Sequence, residues 1–247
     1  MELGIGGRVA LVLGASKGIG AAIARELAAE GARVAIASRS LGPLEELAGE
    51  IGASAFVHDN GDLDGVPGLV EAVTQKLGPI EILVTNTGGP PSGSDPLAFT
   101  REQWELAHRT LVMAPLELIG AVVPGMRERG WGRIVNIGSL TVREPMSILM
   151  LSNSERAAAL AAFKTIATDV AADGITLNTV LPGRIGTDRL FALLGGGPPE
   201  AIAAGVPAGR LGTPEELAAA VTFLCSERAG YITGTALLVD GGLAKLV

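Results

Sequence analysis

Residues 8–38 read RVALVLGASKGIGAAIARELAAEGARVAIAS. A short apolar run from Arg8 ends in a glycine-rich turn, Gly14-Ala-Ser16-Lys17-Gly18-Ile19-Gly20. A helical pattern follows, and a second apolar run closes at Ser38. Such a strand–turn–helix–strand unit puts two parallel strands side by side, because a helix of this length is the connection that returns the chain to the same end of a sheet. Glycines in the turn let the backbone bend sharply and approach a pyrophosphate, whose charge then meets the amino end of the helix. Strand before and helix after make Gly14, Ser16, Lys17, Gly18, Ile19 and Gly20 a candidate dinucleotide cradle.

The same alternation runs the length of the chain. Apolar runs start at Ser54 (SAFVH), Ile80 (IEILVT), Gly132 (GRIVNI), Ile175 (ITLNTV) and Ala236 (ALLV), with helical spacing between them. Seven candidate strands in a repeated βα order predict an α/β, Rossmann-like doubly wound parallel sheet in a three-layer α/β/α arrangement. Right-handed crossovers place all strand carboxyl ends along one edge, where ligands bind. With 247 residues and no Pro/Ser-rich linker, the chain is expected to form a single domain over 1–247.

Composition narrows the partners. A net charge of −7 and no basic tract argue against a nucleic-acid partner and for a small-molecule substrate. The amino-terminal segment has no basic region before its apolar run, so it reads as the first strand. The apolar stretch from Leu111 to Met126 is interrupted by Pro115, Glu117 and Pro124 and reads as a buried amphipathic helix. No membrane partner and a cytoplasmic location are therefore expected. The single cysteine, Cys225, sits in an apolar run and reads as a buried helix residue. One cysteine and two scattered histidines offer no metal-ligand spacing, and no Ser-x-Gly elbow surrounds Ser139 or Ser152.

Two helix starts carry capping boxes, Thr100–Gln103 and Thr213–Glu216, the second with Pro214 at its first position. The span 185–207 contains GGGPP at 195–199 and is expected to be a mobile substrate loop over the strand ends. The second strand ends at Ser38-Arg39, where an NAD-binding chain more often presents an acid to the ribose 2′-hydroxyl. Arg39 and Lys17 favour a 2′-phosphate, hence NADP(H), with NAD(H) as the alternative.

These motifs together resemble the short-chain dehydrogenase/reductase family, and within it the β-ketoacyl-ACP-reductase-like members. GASKGIG at 14–20, Asp59-Asn60, NTGG at 86–89, GRIVNIGS at 132–139, Leu181-Pro-Gly183 with Thr187, and TGTALLVDGG at 233–242 stand in that family's order. The resemblance implies a seven-stranded sheet, a nicotinamide cofactor along its carboxyl edge and commonly a homotetramer. It also implies that Asp59 and Asn60 neighbour the adenine, that Asn86 neighbours the cofactor ribose with Gly88 in the same cofactor-binding segment, and that Pro182, Gly183, Ile185 and Thr187 line the nicotinamide side.

The same resemblance exposes a departure. Of the family's four catalytic positions only the serine is kept, as Ser139; asparagine is replaced by Leu111, tyrosine by Ser152 and lysine by Arg156. A one-residue shift of the last helix would put Leu151 and Glu155 at the tyrosine and lysine positions and restores neither. Serine is a far weaker acid and a shorter arm than a phenol. Arg156, one turn from Ser152 on the same face, can hold hydroxyls or an oxyanion but is a poor proton shuttle. Ser139, Ser152 and Arg156 remain the catalytic candidates. His108, three residues before Leu111, and Arg143 and Glu144 in the loop after Ser139 are substitute proton-transfer candidates, whereas His58 reads as structural. Two functions stand open: an NADP(H)-linked oxidoreductase on a carbonyl/alcohol pair with an atypical site, or a dinucleotide-binding protein with little or no turnover.

Overall fold

Each apolar run becomes a strand of one sheet in the computed structural model, which describes residues 2–245. The strands are β1 (Val9–Leu13), β2 (Arg33–Ser38), β3 (Ser54–Val57), β4 (Ile82–Thr85), β5 (Gly132–Ile137), β6 (Ile175–Pro182) and β7 (Ala236–Val239). All neighbours pair in parallel, in the order β3-β2-β1-β4-β5-β6-β7. The order reverses between β1 and β4, and that switch point is where the crevice of such a sheet opens.

Alternating side chains of one strand feed two cores. Ala10 and Val12 of β1 pack toward α1 (Gly18–Ala29), α2 (Leu41–Ile51) and α9 (Pro214–Leu224), among Ile23, Leu27, Leu44, Leu217 and Val221. Val9, Leu11 and Leu13 face the other side, against α3 (Val66–Leu77), α5 (Ala114–Arg129) and α6 (Met150–Val170), among Val73, Leu118, Ile119, Phe163 and Val170. Burial on both faces explains the near-continuous apolar strands, and each fully buried side chain such as Phe163 contributes about 1.5–3 kcal/mol of transfer free energy. Cys225 is fully buried and its thiol is pushed up to about 12 by desolvation, so it packs as an inert apolar group.

Both expected capping boxes form, at α4 (Arg101–His108) and at α9 with its early proline. The apolar stretch from Leu111 is not a separate helix. It continues α4 through a π turn at Arg109–Met113 into α5, with Pro115 in the first turn and Pro124 within the helix. This run, Arg101–Arg129, is long and apolar enough to cross a membrane by length and composition, but half of its apolar window is buried in the fold. Its π turn falls at Leu111, and such turns often mark functional segments. The span 185–207 is also more ordered in form than its glycines suggest. It holds α7 (Asp188–Leu193) and α8 (Pro199–Ala203), because Thr187 caps the first through Leu190 N and Pro199 opens the second. Left-handed backbone in this span is confined to Gly195 and Gly196 between the two helices and Gly205 just after the second.

Candidate active site

Gly14, at φ 60°, and Gly18, at φ 57°, both take left-handed conformations that a side chain would strain. Gly20 sits where a Cβ would collide with the Gly14 carbonyl, so the turn folds back on itself against β1. Asn86, leaving β4, locks this turn by donating from Nδ2 to Gly14 O at 3.1 Å. Lys17 at the amino end of α1 makes no side-chain cap, which leaves the first-turn amides without a capping side chain. Gly18 and Gly88 face the cleft with little in front of them: the nearest atom to a Cβ built on Gly18 is a Thr187 methyl at 3.5 Å, and Gly88 meets nothing within 4 Å.

Where the sheet turns from β2, Ser38 Oγ is buried and has no hydrogen-bond partner, beside the exposed Arg39. Lys17 lies 3.5 Å from Asp188 in an exposed pair of little strength. After β3, Asn60 donates to Thr87 Oγ1 at 2.7 Å, tying the two loops, while Asp59 accepts from Gly61 N at 2.9 Å. His58 is buried, and desolvation pushes its pKa below the ordinary histidine value against the opposing charges of Asp62 and Asp59. An uncapped helix end, open glycine faces and an orphaned hydroxyl at Ser38 fit a phosphorylated dinucleotide.

Above the turn, the segment after β6 folds back over the cleft. Pro182 ends β6, Gly183 packs so closely on Asp240 that a Cβ would clash, Ile185 is buried, and Thr187 Oγ1 accepts from Leu190 N at 3.3 Å. Pro182, Gly183, Ile185 and Thr187 belong to one segment running from the end of β6 to the start of α7, whose Thr187 methyl stands before Gly18.

At the inner end stand Ser139, Ser152 and Arg156. Ser139 Oγ accepts from Thr141 N at 3.2 Å and from Thr141 Oγ1 at 3.0 Å, so its own proton points elsewhere. Thr141 was not legible as a site residue; the hydroxyl two positions after the serine was its only signal. Ser152 is buried and accepts from Arg156 Nε at 3.3 Å. The Arg156 guanidinium also donates from Nη1 to Ile137 O at 2.7 Å and from Nη2 to Thr87 O at 3.2 Å, linking the ends of β5 and β4. Burial, and secondarily Arg189, push its pKa down to about 10, so it stays a cation at neutral pH.

The substitute proton donors are placed elsewhere. His108 Nδ1 lies 2.8 Å from Glu155 Oε2, a pair between α4 and α6. Glu155 thus turns to α4 while Arg156 turns to the strand ends. Glu144 accepts from the Lys245 amide, and Arg143 is exposed. Leu111 is buried at the π turn, which leaves an apolar wall where a polar side chain would hold water.

Fold and site together define a dinucleotide-cleft protein of the Rossmann type with a serine–arginine inner wall. Residues 14–244 match the family described as Enoyl-(Acyl carrier protein) reductase. The chain is 36% identical over 245 residues to 3-oxoacyl-[acyl-carrier-protein] reductase FabG of Vibrio cholerae, covering 96% of this chain and 97% of that one. The L-sorbose reductase of Gluconobacter frateurii, solved with NADPH and L-sorbose, superposes with a TM-score of 0.91 at 36% identity over the whole of both chains. YwfH, an NADPH-dependent reductase involved in bacilysin biosynthesis, gives a TM-score of 0.92 at 31% identity over 97% of this chain and 99% of that one. The chain belongs to the short-chain dehydrogenase/reductase family of oxidoreductases.

Proposed function

We propose that this protein is an NADP(H)-linked oxidoreductase acting on a carbonyl/alcohol pair through an atypical proton-transfer arrangement. The observation that carries the reading is the Arg156 guanidinium, a cation held at the strand ends against Ser152 and the Ile137 carbonyl, two residues before Ser139, where an oxygen that gains charge needs one. NADPH, when bound, supplies the hydride. Glycine-turn amides and the uncapped start of α1 hold its phosphates, Asn86 fixes the turn, and Ser38 with Arg39 takes the 2′-phosphate. Ser139, polarised by Thr141, donates to the substrate oxygen, and Arg156 stabilises the oxyanion. Ser152 is too weak an acid to serve alone, so it relays a proton from water. Loss of a positioned general acid costs about 10²–10⁴ in rate, whereas orientation alone can supply effective molarities of order 10⁵–10⁸ M. Acceptors that are already activated suffer least.

Charge, size and cleft support a small-molecule substrate in the cytoplasm, with no nucleic-acid or membrane partner. Exposed Ala157, Ala158 and Ala161 on α6 support close helix pairing in a homotetramer. The competing reading, a dinucleotide-binding protein with little turnover, draws on the missing phenol. Titration with NADPH followed by absorbance loss with ketones, imines and quinones separates the two: binding with no oxidation by any acceptor favours the second.

Cofactor choice has its own test. Arg39→Ala is expected to weaken NADPH about tenfold or more, the loss of one charge-assisted contact, and NADH hardly at all. Raised salt should act in the same direction. Equal losses for both cofactors would make Arg39 a surface charge.

A further inference from the structure

Arg156 and Arg189 converge on the inner end of the cleft without an acid between them. Arg156 reaches Thr87 O, and Arg189, entering from α7, rests its guanidinium against Gly89, where any Cβ would overlap it. The two are close enough that Arg189 is the one charge that perceptibly depresses Arg156. Among the described residues neither forms an ion pair with a carboxylate. Asp188, beside Arg189 in sequence, turns to Lys17. Arg156 and Arg189 thus meet the same short segment, at Thr87 and at Gly89, with no carboxylate paired to either. Arg189 itself is exposed on its outer side and so can be met from solvent.

We propose that the substrate supplies that anion: Arg189 binds a carboxylate of the acceptor whose oxo group faces Arg156, making it a small oxo acid or the matching hydroxy acid. This deepens the oxidoreductase reading and rests on it. A planar guanidinium grips a carboxylate through two parallel hydrogen bonds, and a second guanidinium beside it can share its charge with the neighbouring oxo group. Arg189 would hold the carboxylate while Arg156 faces the oxygen that becomes an alkoxide. A cofactor pyrophosphate is the other source of oxyanions in the cleft, but the glycine turn and the start of α1 already provide for it.

The test uses the intact protein saturated with NADPH and isothermal titration with malonate, which cannot be reduced, against its neutral analogue malonamide. Malonate is expected to bind at least about tenfold more tightly, the effect of one charge-assisted contact. Arg189→Gln and Gly89→Ala, which displaces the Arg189 guanidinium from its seat, should each erase most of that advantage with NADPH affinity kept. Equal binding of malonate and malonamide, or no malonate binding, overturns the proposal. So does a loss of NADPH affinity in Arg189→Gln that matches its loss of malonate, since Arg189 would then serve the cofactor phosphates. Failure of the unmodified protein to bind NADPH sinks the underlying oxidoreductase reading instead.

Discussion

In the double variant Ser152→Tyr with Arg156→Lys, turnover of simple ketones is expected to rise by about 10²–10⁴-fold, the usual contribution of a positioned acid–base group. A free phenol titrates near pH 10, and a neighbouring ammonium lowers it toward neutrality, so the variant gains a proton donor that the native serine cannot be. The lysine also has to take over Arg156's hold on Ile137 O and Thr87 O, which its three donors allow in part. Steady-state NADPH oxidation, measured after NADPH binding has been confirmed, checks the outcome, because Ser152 is buried and the new ring has to find room near Leu111. A gain assigns proton transfer as the step the native site lacks. If the native reaction uses Arg156 as an electrostatic anchor, that reaction should disappear in the same variant while simple ketones gain. Retained binding with no change in any carbonyl reaction favours the non-catalytic reading.

Gly18→Val is expected to weaken NADPH by about 100-fold or more. Gly18 has φ 57°, so any side chain is strained there and a β-branched one most of all. Its Cβ would also stand in the space before Thr187, where the pyrophosphate must approach the first amides of α1. Losing two charge-assisted hydrogen bonds, each about 1.5–3 kcal/mol, accounts for the size of the effect. Fluorescence titration with NADPH reads it, and thermal melting without cofactor separates lost binding from lost folding. Unchanged affinity with an intact fold would remove the glycine turn from the proposed site.

Much of this was legible in local patterns. The strands β2, β5 and β7 fall on the apolar runs quoted for them, since a sheet buried on both faces imposes one unbroken requirement on each strand. Thr100 and Thr213 marked helix starts because a cap needs only residues three positions apart. Ser38 and Arg39 could be placed at a strand end for the same reason. The span 185–207 was harder. Its glycines and prolines rule out long elements but say nothing against single turns started by Thr187 and Pro199.

Sequence alone thus established the parallel βα order and the glycine-rich turn between β1 and α1, both of which depend on spacing along the chain. It could not establish which way side chains on neighbouring elements turn. That Glu155 pairs with His108 while Arg156 reaches Ile137 and Thr87, that Thr141 polarises Ser139, and that Arg189 comes to rest on Gly89 follow from packing between segments distant in sequence. Hydrogen bonds and charges act over a few ångströms in space, and no periodicity along the chain encodes which partners the folded sheet brings within that reach.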